Sequence, residues 1–113
     1  MIVDKLQSLL ADQIVSLVSS GKVGLGGNST FSSQTGLDIE LANATSTSAT
    51  KSDENVVQVK VSISGGGTLA GQVLREVGVF DSSSNMLIRQ NFDGIGPFAS
   101  NETVEFFIFL EVE

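Results

Sequence analysis

The chain has no cysteine, histidine, tryptophan or tyrosine, and a single proline. Without cysteine, disulfides, thiolate zinc sites and cysteine nucleophiles are excluded. Without histidine, the usual general base at neutral pH is gone. The missing Trp and Tyr are the rings that most often stack sugars. Cations are scarce too: six Lys and Arg stand against thirteen Asp and Glu, a formal net charge of −7. Spread along the chain, they form no basic stripe, and an acidic surface repels phosphates, so no nucleic-acid partner is expected. No run approaches the roughly 20 apolar residues that span a bilayer. The opening residues Met1-Ile2-Val3-Asp4-Lys5 carry an acid and lead into an amphipathic pattern rather than a leader. The expectation is a chain folded in a cytoplasm, with no membrane partner.

What is present suits a single packed domain. The 113 residues are 41% hydrophobic and 17% charged, enough apolar material for a core. Residues 4–20 read as a helix, with Leu6, Leu9, Leu10, Ile14, Leu17 and Val18 at three-and-four spacing. Asp4 is the expected N-cap and Gly21 the expected left-handed stop. The apolar stripe packs on the chain's own sheet or on a neighbouring subunit.

Residues 22–25 read as a short strand before a Gly-rich turn. Residues 29–53 read as an extended Ser/Thr/Asn loop with one alternating segment, Leu37 to Leu41. Val57, Val59, Val61 and Ile63 alternate with polar residues as a half-buried strand does, and Gly65-Gly66-Gly67 ends it. Residues 72–80 and 86–92 form an expected antiparallel hairpin across Asp81-Ser82-Ser83-Ser84-Asn85. Residues 93–101, with two glycines and the proline, read as loop, and residues 103–113 as a long closing strand. The sum is a mainly β fold, a small antiparallel β-sandwich with one N-terminal amphipathic helix. Residues 1–21 carry the helix and residues 22–113 the sandwich.

The closing strand has an unusual composition. Val104, Phe106, Ile108, Leu110 and Val112 line one face, the expected core side. The other face carries Glu105, Phe107, Phe109, Glu111 and Glu113. Two phenylalanines there are either covered within the chain or sealed by a partner.

Motifs that could carry chemistry are weak. Gly24-Leu25-Gly26-Gly27 lacks the following lysine and helix of a phosphate loop. Asp81, Ser83 and Asn85 have calcium-loop spacing, but Met86 and Phe92 stand where glycine and a bidentate glutamate belong. Neither an enzymatic activity nor a cofactor is expected.

One stretch is more specific. Leu74-Arg75-Glu76-Val77-Gly78-Val79-Phe80-Asp81, a polar turn and Met86-Leu87-Ile88 resemble the phage tail-collar fibre family, the N-terminal attachment domain of phage tail fibres. Val23 to Gly27, Gln34-Thr35-Gly36-Leu37 and the closing Phe109-Leu110-Glu111-Val112 resemble that family's opening and last strand. The resemblance covers most of residues 22–113. It implies a structural protein of a tailed phage virion: a fibre-attachment, collar or baseplate module, assembled with copies of itself and other virion proteins. With no fibre shaft or receptor-binding tip after Glu113, attachment is favoured over host recognition. A capsid spike or decoration protein, or a small carbohydrate-binding adhesin-like module, is the alternative. Leu6, Leu10, Ile14, Leu17, Arg75, Glu76, Phe107 and Phe109 are the interface candidates.

Overall fold

The computed structural model describes residues 3–64, 69–99 and 101–113. Helix α1 is Asp4–Leu17; the strands are β1 (Ser20–Gly24), β2 (Glu40–Asn43), β3 (Ser46–Asp53), β4 (Val56–Ser64), β5 (Leu74–Phe80), β6 (Met86–Ile95) and β7 (Thr103–Glu111). Two antiparallel sheets, in the orders β2-β1-β5-β6 and β3-β4-β7, make a small β-sandwich with an N-terminal helix. The Gly65-Gly66-Gly67 break lies outside the described residues.

The core follows from strand alternation. On β4, Val57, Val59, Val61 and Ile63 turn inward and are buried, as is Val23 on β1 and Val77 and Val79 on β5. Each side chain of this kind contributes about 1.5–3 kcal/mol of burial. On β7, Val104, Phe106, Ile108 and Leu110 pack against the same cluster, the expected core side. Phe92 of β6 and Phe106 of β7 bridge the sheets with ring centroids 5.2 Å apart. The β5–β6 hairpin forms as expected, and Asp81 closes its turn. Asp81 Oδ1 accepts the N–H groups of Ser83 and Asn85, both at 2.9 Å.

Several boundaries differ from expectation, each for a tertiary reason. Val3, not Asp4, is the N-cap residue, and Asp4 lies in the first turn, where its charge favours the helix dipole. Gly21 does not stop the helix in a left-handed turn. It belongs to β1, because the N–H of Ser19 is already taken by the carbonyl of Phe80 at 2.9 Å. Residues 46–53, expected as loop, form an edge strand. Thr47, Ala49 and Lys51 face inward opposite Val61, Val59 and Val57, an alternation that small polar side chains conceal. Of Leu37 to Leu41 only the end is strand, since the N–H groups of Asp38 and Ile39 bond to a carboxylate instead of a neighbouring strand. Residues 93–95, expected as loop, extend β6, with Ile95 opposite Leu74 across a register shift.

Candidate interaction surfaces

Arg75 and Glu76, adjacent on β5, point to opposite faces. Arg75 is exposed. Glu76 is 0% exposed, which corrects its expectation as an interface residue: its carboxylate is spent within the chain. Oε2 accepts the N–H groups of Gly26 at 2.7 Å and Ile39 at 2.9 Å; Oε1 accepts that of Asp38 at 2.8 Å and Arg89 Nε at 2.9 Å. Arg89, on β6, donates its remaining N–H groups to Asn28 O, Thr30 Oγ1, Gly26 O and Asp38 Oδ2. The pair therefore clamps residues 26–39 across the outer face of the first sheet. Burial pushes the Glu76 carboxyl up, but the N–H groups of Ile39 and Asp38, the Arg89 guanidinium and the Gly26 N–H outweigh it and hold it below the ordinary range.

Two glycines make this packing possible. A Cβ at Gly24 would collide with the Ile39 carbonyl oxygen and one at Gly26 with Asp38 Cβ, and each would lie 2.6 Å from Glu76 Oε2. Gly24 and Gly26 thus leave room for the Glu76 carboxylate and the covering loop. Among the described residues no buried side-chain nitrogen or oxygen lacks a partner, and no group of His, Cys, Asp or Glu could hold a metal ion.

Helix α1 exposes one of the two apolar surfaces. The sheet takes a neighbouring stripe, on which Ala11 is fully buried and Ile14, Val15 and Val18 pack on the core. Small Ala11 permits close approach, and Lys51 of β3 fixes the helix rotation, reaching Ser8 Oγ at 2.8 Å and Asp12 Oδ1 at 3.2 Å. Leu6, Leu10 and Leu17 are left 45, 39 and 40% exposed, with Val3 and Leu9 also in the open. The candidate residues Leu6, Leu10 and Leu17 therefore share one surface, while Ile14 sits at its border. Beside them runs an apolar groove of about 260 Å³ lined by Ile14, Leu17, Val18, Leu87, Ile88 and Leu110. Leu87, 40% exposed, was not among the candidates, because its place in the hairpin gives no hint that α1 ends beside it.

The second surface is the outer face of β7. Phe107 is 51% and Phe109 61% exposed, so among the described residues neither α1 nor a loop covers them. β7 also stands at the edge of its sheet, where its outer backbone groups have no strand partner among the described residues. Lys60, opposite Phe107, bonds Glu105 at 3.2 Å and lies 5.9 Å from the Phe107 ring centroid. Glu111 and Glu113 are exposed at the strand's end. Arg75 lies on the other sheet and joins neither surface.

Comparison with protein-family models, curated proteins and solved structures finds no match for this chain. No described helix is long and apolar enough to cross a membrane.

Proposed function

We propose that this chain is a structural protein of a tailed phage virion, a fibre-attachment, collar or baseplate-type module that assembles with copies of itself and with other virion subunits. The observation that carries the reading is the pair of separate exposed apolar surfaces, Leu6, Leu10 and Leu17 on α1 and Phe107 and Phe109 on β7. Large apolar side chains grouped in this way mark surfaces sealed by protein partners. Two such surfaces allow one subunit to hold two neighbours, and repetition of modest contacts around a symmetric particle gives large total burial. The net charge of −7 keeps free subunits apart before assembly.

The resemblance of the β5–β6 hairpin to the tail-collar fibre family supports a place in the tail. A capsid spike or decoration protein would use the same surfaces. Mass spectrometry of particles purified from cells carrying the gene tests the role: the chain is expected in intact particles at a fixed ratio to other structural proteins. Recovery only in the soluble fraction would refute it.

A carbohydrate-binding module is the second reading, and one observation favours it. Phe31, 59% exposed, borders a hollow of about 260 Å³ lined also by Thr30, Ser32 and Gln34. A saturable signal on a glycan array, lost in Phe31→Ala, would establish it; a blank array excludes it.

A further inference from the structure

We infer that α1 is the self-association surface of this protein: a second copy docks helix against helix along Val3, Leu6, Leu10 and Leu17. The inference rests on the assembly reading and says which surface takes which occupant.

The spacing is that of a coiled-coil seam. Val3, Leu6, Leu10, Gln13 and Leu17 follow one another at three and four residues, so each falls on one stripe of period 3.5. All five are exposed, and four are apolar. Such a stripe fits another helix bearing the same pattern, and α1 of a second copy bears it. Gln13 is the single polar position, the kind of residue that fixes register in such seams.

Electrostatics selects the occupant. Two copies each carrying −7 repel, and they approach most easily where no carboxylate lines the contact. The seam is flanked by Gln7, Leu9, Ile14 and Ser16, all uncharged, while Asp12 is turned to Lys51 of its own chain. The β7 face is the reverse: Phe107 and Phe109 stand among Glu105, which Lys60 pairs at 3.2 Å, and the exposed Glu111 and Glu113, whose like charges a second copy laid there would bring together. That face suits a different, more basic subunit.

A helix of 14 residues is marginal on its own. Here it is held in advance by buried Ala11 and by Lys51, so docking bears little of the ordering cost. The apolar groove lined by Ile14, Leu17, Val18, Leu87, Ile88 and Leu110 adjoins the seam at Leu17 and extends the apolar area that a second copy can cover, and a two-fold axis would repeat that contact on both copies.

Size-exclusion chromatography with light scattering on the full chain is the test. The expected mass is a multiple of 11.8 kDa that falls towards one chain on dilution. The double variant Leu6→Glu, Leu17→Glu is expected to weaken self-association at least about 30-fold, with the strand circular dichroism unchanged. Phe107→Ser with Phe109→Ser leaves it intact. A monomer at every concentration overturns the inference, as does an oligomer that survives the α1 variant or is lost only with the β7 variant. Because the chain has no cysteine, single variants Leu6→Cys, Leu10→Cys and Leu17→Cys give a second readout. Oxidation is expected to cross-link copies through at least one of them and not through Ser48→Cys; cross-linking at Ser48 alone overturns the inference. Self-association through α1 in a chain missing from purified particles ends the virion reading and leaves this one standing. A particle component that is monomeric in solution does the opposite.

Discussion

At the scale of single residues, the buried Glu76–Arg89 pair is the most consequential arrangement. Its two side chains bind the backbone of a loop with little apolar material of its own, so removing Arg89 leaves Glu76 buried without its counter-charge, and removing Glu76 leaves Arg89 with Asp38, 3.2 Å away, as its remaining carboxylate partner. Glu76→Gln is expected to lower the unfolding free energy by about 3–5 kcal/mol, read from urea denaturation. The pH dependence has a definite sign. A carboxyl held below its ordinary value near 4.5 contributes stability above that value and loses it as pH falls through the lowered one. Thermal melts from neutral pH into the acid range should therefore show a shallower acid loss for Glu76→Gln than for the parent chain. Equal slopes would show that Glu76 is not held below its ordinary value. Gly24→Ala probes the same loop from β1. The added carbon would collide with the Ile39 backbone carbonyl oxygen and lie 2.6 Å from Glu76 Oε2, so a loss of about 1–3 kcal/mol is expected from urea denaturation.

At the scale of elements, β7 and α1 each divide into a covered side and an open side. The two sides of the sandwich should respond unequally to substitution. Leu74→Ala, in the core, is expected to cost about 2–5 kcal/mol. Phe109→Ser, on the open face of β7, should cost less than about 1 kcal/mol, since most of that ring is already in water. Urea titrations of the two variants give the comparison; equal losses would mean that the β7 face is covered after all. Removal of residues 1–18 is a stronger perturbation, because Ala11 is part of the core. Loss of the oligomer is expected, with the β circular dichroism signal retained at reduced stability. A retained oligomer with a lost β signal would refute the assignment of α1.

At the scale of the whole molecule, the hairpin, the core strands and the helix were legible because periodicity is local: alternating Val57 to Ile63 must put one set of side chains on one face, whatever the rest of the chain does. The closing strand shows how far this reaches. Its two faces were plain from Val104 to Glu113, but whether Phe107 and Phe109 were covered was not, since covering depends on where other elements lie. The same holds for α1, whose apolar residues outnumber what one sheet can bury; the choice of Ala11, Ile14, Val15 and Val18 as the packed stripe came from Lys51 and the opposing strands. β3 stayed hidden because its alternation is written in Ser, Thr and Ala. Glu76 and Arg75 looked equivalent in the chain, and only the loop folding over the first sheet made one a buried anchor and the other a surface cation. The sequence by itself thus determined which residues share a face and where the chain must turn. The tertiary structure decided which faces meet water, because burial is a property of pairs of elements that no local pattern contains.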